Sequence, residues 1–345
     1  MADYLVTDTE LTNVANAIRT KGGTSAPLTW PGGYVDAIGA ISGGGGGDDG
    51  NYKAFIGRTS AVPTLPSDLT TIGNYAFYSW TNLALTSLPS SVTTIGDSAF
   101  YGCTNLALTS LPNSVTAIGA SAFQNCTNLA LTSLPSGVTS IGAGAFNTCT
   151  NLALTSLPSG VTTIGNYAFY NCANLALTSL PSGVTRLSMY AFYGCAKLIS
   201  ISGDGNISAI DSGAFAKCSS LESARFPNAS ASSLYSSTFG NSTASSACTG
   251  LSVCDIGKTK QITANAFANC YALQTLILRK TDAITTLANV SAFTNTPMRG
   301  YNSLTGTVYV PNTLIATYRT ATNWKTLYDA GTVNFVAIEG SEYEI

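Results

Sequence analysis

Apolar and polar positions alternate along most of this chain in a pattern that returns every 23 residues. Phe77, Phe100, Phe123, Phe146, Phe169, Phe192 and Phe215 mark the interval, and one unit reads LPSGVTTIGNYAFYNCANLALTS. Around each Phe the same neighbours recur: Ile five positions before it (Ile72, Ile95, Ile118, Ile141, Ile164), Gly after that Ile, Ala directly before the Phe, and Cys three positions after it. Cys103, Cys126, Cys149, Cys172, Cys195 and Cys218 fill the last slot, and Trp80 takes it in the first unit. Looser copies follow at Phe239, at Phe267 with Cys270, and at Phe293. The slots three and two before the Phe, and one and two after it, change from copy to copy. Invariant slots therefore point inward and stack as ladders, while variable slots face water.

A fixed period of this length, with Leu at set offsets, predicts a solenoid of the leucine-rich kind. One unit is too small to bury its own apolar face, so neighbours stack and share a continuous core. The expected fold is mostly β with short helical turns. The Gly after each Ile suits a backbone turn with positive φ, and Leu-Pro closes a strand where no ladder donor is needed. These residues resemble the BspA-type leucine-rich repeat family, whose unit runs roughly AFxxCxxLxxVxIPxxVxxIGxx, and the resemblance covers about Leu65 to Phe293. It implies a leucine-rich repeat solenoid over residues 53–300 and a terminal cap over 301–345. One departure stands out. The family places apolar residues six, nine and eleven after the Phe, as do Leu273, Leu276 and Leu278. The first five units place Leu at six, eight and eleven, as in Leu83, Leu85 and Leu88, with Thr86 in the ninth slot. Moving one position along a strand switches the face, so either a bulge restores the register or a Leu ladder is exposed.

The ends differ from the middle. In residues 1–41, Thr7 to Glu10 can cap a helix whose Leu11, Val14, Ala15 and Ile18 share one face, and a second short amphipathic piece holds Tyr34, Val35, Ile38 and Ile41. Residues 42–52 contain an unbroken glycine run and read as a tether, with no strand and no Gly-Lys-Ser/Thr to make a phosphate loop. Two short helices are too little to fold alone, which points to self-association or docking on a host assembly. Residues 1–41 also resemble N-terminal segments of tail-associated proteins in phages and prophages of Gram-positive gut bacteria. That resemblance implies an attachment module and a place in a virion. At the other end, residues 301–345 read as strand, helix from Pro311 to Tyr328, and strand, a cap that closes the open edge of a solenoid.

Composition narrows the chemistry. The chain carries no histidine, a formal charge of −2, and only 9% charged residues, far below the roughly 25% of ordinary soluble proteins. From Leu69 to Thr185 the one charged side chain is Asp97. Imidazole bases, Ser-His-Asp and Cys-His pairs and His-ligated metals are excluded, and nothing pairs Asp204, Asp211 and Glu222 as acid and base. No metal, cofactor or catalytic residue is expected. Nucleic acid is a poor partner, because Lys and Arg are absent from Thr59 to Thr185. No apolar run approaches the roughly 20 residues of a membrane span, and the N-terminus lacks the apolar core of a signal peptide. The Cys ladder reads as reduced and inert, with Cys248 and Cys254 the one candidate bridge.

The remaining signal is aromatic. Tyr75 with Tyr78, Tyr167 with Tyr170, and Tyr190 with Tyr193 occupy variable slots, and Trp80 and Tyr101 add to the same surface. Neutral aromatic surface interleaved with Ser, Thr and Asn suits sugars or protein loops; the alternative is that these Tyr merely cover the edge of each coil. The sequence thus predicts a non-enzymatic binding protein. The first expectation is a phage or prophage tail receptor-binding protein recognising a surface glycan or protein, joined to the tail or to itself through residues 1–41. The second is a bacterial BspA-like cell-surface adhesin. A third is an ice- or mineral-binding solenoid using its flat, Thr-rich, uncharged face.

Overall fold

In a computed structural model, residues 65–241, 243, 245 and 247–345 are described. The expected helices and tether of residues 1–52 lie outside them. The described chain winds as a stack of coils, numbered from coil 1 at Phe77 to coil 10 at Phe293. Two columns of parallel strands run along it. In the first, β1 (Thr71–Ile72), β2 (Thr94–Ile95), β3 (Ala117–Ile118), β4 (Ser140–Ile141) and β5 (Thr163–Ile164) form one sheet with Ile over Ile. The same column continues through β6 (Arg186–Leu187) paired to β8 (Ala209–Ile210), and through β11 (Gln261–Ile262) paired to β13 (Thr286–Leu287). Two-residue strands suffice because Ile is the single inward residue before the Gly turn.

The second column exists only in the later coils. Here β7 (Ser200–Ser202), β9 (Ser223–Arg225), β10 (Val253–Asp255), β12 (Thr275–Ile277), β14 (Gly306–Val310) and β15 (Val333–Ala337) make a six-stranded parallel sheet. The shifted Leu register of the early coils explains the difference. Leu83, Leu85 and Leu88 are all buried, as are their counterparts up to Leu175, Leu177 and Leu180, so no Leu ladder is exposed. The chain achieves this by giving up the strand. Thr86 and Ser87 both turn outward between two inward Leu residues, which a pleated strand cannot do. A single backbone bond per coil remains in the middle of this stretch, for example Ala130 N–H to the Leu108 carbonyl at 3.1 Å and Ala153 N–H to Leu131 at 3.1 Å.

The core is a set of ladders along the axis. Ten Phe rings, from Phe77 to Phe293, stack with centroids 5.1–5.6 Å apart and planes within 12°. Beside them the cysteines are buried and free, Cys248 and Cys254 included, so that candidate bridge is not made. Each thiol of the ladder donates to the carbonyl of the Phe one coil back: Cys126 to Phe100 at 2.9 Å, Cys149 to Phe123 at 3.0 Å, Cys172 to Phe146 at 3.0 Å. Burial pushes the Cys126 and Cys149 thiols well up from their ordinary range, which keeps them protonated and unreactive. Trp80, expected on the aromatic surface, is instead a core residue. It is 3% exposed and lies 5.7 Å from Phe77, because the Cys slot points inward whatever fills it.

The Gly after each Ile does not have positive φ. It is required by the approach of neighbouring coils: a Cβ on Gly142 would lie 2.5 Å from the Gly119 carbonyl carbon and 2.6 Å from the Ala120 nitrogen. Nor does Leu-Pro end a strand in the early coils; the Pro89 carbonyl accepts from Val92 N–H at 3.1 Å, closing a turn.

The cap continues the second column. Between β14 and β15 the expected single helix is two, α1 (Ile315–Thr320) and α2 (Trp324–Asp329), broken at Asn323, whose φ is +65°. Its side chain donates to the Leu287 carbonyl at 2.8 Å. Trp324, Tyr318 and Phe335 cover the end of the Phe ladder, with Trp324 5.8 Å from Phe293. The last residues then cross the outer side of the sheet, where Ile338 and Tyr343 pack on Ile277 and Tyr309.

Candidate functional site

The turn around each Phe decides where the aromatic side chains go. Residues two before and two after the Phe both adopt the left-handed conformation. Tyr75, Ser98, Ser121, Gly144, Tyr167 and Tyr190 have φ between +52° and +63° in the first slot; Ser79, Gly102, Asn125, Thr148, Asn171 and Gly194 have φ between +54° and +71° in the second. This flips alternate peptides so that every second N–H points along the axis into the next coil. In coil 5, Tyr167 N–H donates to the Met189 carbonyl at 3.0 Å, Phe169 to Ala191 at 2.8 Å and Asn171 to Tyr193 at 2.7 Å. The hydrogen bonds hold the turn; the side chains two before and one after the Phe are left outside it.

Gly and Asn tolerate positive φ, and a bulky aromatic residue rarely adopts it. Tyr at that slot in coils 1, 5 and 6 is therefore backbone strain kept for an outward ring, and such strain collects at functional positions. The ring contacts form two clusters. In coils 1 and 2, Tyr78 stacks on Tyr101 at 4.7 Å and 11°, with Tyr75 5.8 Å from Tyr78. In coils 5 and 6, Tyr170 stacks on Tyr193 at 4.7 Å and 6°, and Tyr167 on Tyr190 at 5.2 Å. Tyr190 meets Tyr193 edge to face at 5.7 Å. Tyr75 is 56% and Tyr78 40% exposed; Tyr101 and the four of the second cluster are half-buried in one another. Burial, then the neighbouring Tyr193, Tyr167 and Tyr190 hydroxyls, raise the Tyr170 phenol above its ordinary range.

Of the eight aromatic residues expected at the surface, the structure brings seven into these two clusters and places Trp80 in the core. It adds Lys217, whose ammonium lies 6.0 Å from the Tyr193 ring centre, a contact one coil away that the sequence could have shown only through the 23-residue spacing. A third stack, Tyr271 on Tyr301 at 4.9 Å, was not anticipated, because Tyr301 lies beyond the regular repeats. The acidic residues do not assemble. Asp211 pairs with Arg186 at 2.8 Å, and among the described residues no group of three or more His, Cys, Asp or Glu could hold a metal ion. No helix of the described residues is long and apolar enough to cross a membrane.

A stack of parallel-strand coils with Phe, Ile, Leu and Cys ladders and a variable outer turn is a leucine-rich repeat solenoid. The chain belongs to the BspA type leucine rich repeat region family, whose model matches it in six copies across residues 51–176, 146–274 and 242–308. Solved structures similar to it include a leucine-rich repeat protein of T. pallidum, 34% identical, covering 48% of this chain and 79% of that one at a TM-score of 0.42. Another is a leucine rich cell surface protein from Faecalibacterium prausnitzii, 27% identical, with 76% and 72% coverage and a TM-score of 0.42. A leucine-rich repeat protein from Bacteroides ovatus is 23% identical, with 80% and 83% coverage and a TM-score of 0.41. No curated protein matches the sequence.

Proposed function

We propose that this protein is a non-catalytic adhesin of the cell-surface kind that holds its target with the outward tyrosines of the early coils. The observation that carries the reading is the pair of tyrosine clusters built on strained turns, within a family of repeat solenoids. Tyr offers rigid contact area at low entropic cost, and the surrounding Ser, Thr and Asn hydroxyls and amides add neutral hydrogen bonding. The sparse charge leaves little for polyanion binding or acid–base chemistry. Replacing Tyr75, Tyr78, Tyr167 and Tyr170 together by Ser tests it. Melting should be unchanged or slightly higher, since Ser already fills the strained slot in coils 2 and 3. Retention on plates coated with mucin glycans or extracellular-matrix protein should fall at least about tenfold, the equivalent of 1.4 kcal/mol. Undiminished retention would move the site off this face.

A second reading, a phage or prophage tail receptor-binding protein, is supported by residues 1–41 and by the family match starting only at residue 51. It would place the protein on a virion and make the N-terminal segment an assembly module. Light scattering on the full chain and on a chain starting at Asn51 separates the two. An oligomer that falls to a monomer on truncation favours the tail protein; a monomer in both cases favours the stand-alone adhesin.

A further inference from the structure

The two tyrosine clusters lie on the same columns of the solenoid, and the coils between them carry small or amide side chains. One position after the Phe the column reads Tyr78, Tyr101, Gln124, Asn147, Tyr170, Tyr193; two positions before it, Tyr75, Ser98, Ser121, Gly144, Tyr167, Tyr190. Because Tyr78 stacks on one face of Tyr101, the other face of Tyr101 turns toward coil 3. Likewise Tyr193 and Tyr190 back the far faces of Tyr170 and Tyr167, so the near faces turn toward coil 4.

The far side of the second cluster is closed. Lys217 lies over Tyr193. Tyr190 lies so close against Gly213 that a Cβ there would fall 2.3 Å from its ring. The clusters therefore form two aromatic walls that look at each other across coils 3 and 4. Three coil steps separate Tyr101 from Tyr170, and Phe-to-Phe steps there are 5.3, 5.5 and 5.6 Å. The walls are thus about 16 Å apart, and after about 3.5 Å of contact distance at each two flat rings fit between them.

The floor is polar and neutral. Gln124 leans over Gly144, its Oε1 3.6 Å from where a Cβ would sit, with Ser121 Oγ at 3.2 Å. Asn147 Oδ1 accepts a hydrogen bond from the Thr148 hydroxyl at 2.8 Å. The nearest charge, Asp97, has one carboxylate oxygen accepting from Ala120 N–H at 2.7 Å.

We infer that this trough takes a neutral glycan segment of at least two pyranose rings, one ring stacked on Tyr101 and one on Tyr170, with their hydroxyls bonded to Gln124, Asn147 and Ser121. The inference rests on the adhesin reading above and gives that surface its ligand class. Sugar rings present apolar C–H faces that suit tyrosine and hydroxyl edges that suit amides. Coils 3 and 4 themselves carry no charged side chain to pair with a charged ligand. A peptide loop with aromatic side chains is the competing occupant.

The test uses the full chain and defined probes: glucose, maltose, cellobiose and N-acetylglucosamine oligomers of one to six units, measured by titration calorimetry. At least one series should bind, with a gain of about tenfold or more between one ring and two or three, because the second wall is then engaged. Tyr101→Ser and Tyr170→Ser should each remove about tenfold, and each should abolish the gain with length. Gly144→Tyr gives a variant that fills the trough. The chain already accepts Tyr at that slot in coils 1, 5 and 6, so it should fold and should bind no oligomer.

Oligomers that bind with the same affinity at every length, or that bind the Gly144→Tyr protein normally, overturn the trough while leaving the tyrosine surface in place. Failure of every neutral oligomer, while plates coated with matrix protein still retain the chain, overturns the glycan in favour of a peptide. Failure on all surfaces overturns both this inference and the adhesin reading.

Discussion

Phe146→Ala lowers the stability of the solenoid by about 3–5 kcal/mol, the usual loss for a buried Phe. Phe146 is fully buried, and its ring is held between Phe123 at 5.5 Å and Phe169 at 5.6 Å. Its carbonyl accepts the Cys172 thiol and its N–H donates to Ala168, so backbone and side chain bind different neighbours. Repeat stability is approximately a sum of terms within coils and between adjacent coils. One truncation in the middle weakens two interfaces and divides the array, so the melting curve should broaden as well as shift. For a chain of this size the shift is about 10 °C. Tyr78→Ala is the control: it is 40% exposed, and its effect should stay below about 1 kcal/mol. Circular dichroism on both variants checks the assignment, and a Phe146→Ala protein that melts with the wild type would contradict an inward Phe ladder.

The period of 23 made the ladders legible before any coordinates. Ile, Phe, Leu and Cys sit where the comparison of copies within the chain placed them, because a side chain that must stack on its own copy cannot change. The Leu register was legible as a conflict and not as an outcome. Alternation predicted either a bulge or exposure, whereas the chain bends at Thr86–Ser87 and drops the strand. Gly after Ile was misread for a related reason: a turn residue and a residue crowded by the next coil are both written Gly. Only the 2.5 Å approach between coils tells them apart. Trp80 was misplaced by its residue type, since its slot belongs to the Cys ladder.

The candidate site was half legible. The tyrosines and their variable slots were in the sequence, and so was the change to Ser, Gly, Gln and Asn in coils 3 and 4. That the rings stack along the axis and leave two faces opposed depends on the positive φ of the turn and on the rise per coil, which no single unit records. The crossing of the last residues over the β10–β12–β14 face was not legible at all. It depends on Ile277 and Tyr309, outward residues of β12 and β14, finding Ile338 and Tyr343.

Under that crossing lies the most heavily buried charge in the described chain, and it yields the second large effect. Asp255 is 1% exposed. One of its carboxylate oxygens accepts from Gly257 N–H at 2.9 Å, and the other from Arg279, whose Nε and Nη2 both lie 2.8 Å away. Arg225, next to Asp255 in the ladder, stacks on Tyr343 at 5.3 Å. Removing one partner of a buried pair leaves an uncompensated charge and costs about 3–5 kcal/mol, so Arg279→Ala should unfold readily at neutral pH. Burial already holds the Asp255 carboxyl above its ordinary range, against the pull of Gly257 N–H and Arg279; losing Arg279 raises it further. A folded-state pKa above the unfolded value means that the native protein binds the proton more readily. Stability from this group is then fully present below the unfolded pKa, near about 3.9, and is lost as pH rises through the folded value. The deficit of Arg279→Ala relative to wild type should accordingly shrink on going from pH 7.5 to pH 5 in urea unfolding. Adding Asp255→Asn to Arg279→Ala should recover stability at pH 7.5 and remove that pH dependence. An Arg279→Ala deficit that stays constant across the range would mean that Asp255 is reached by water and that the pair contributes packing alone.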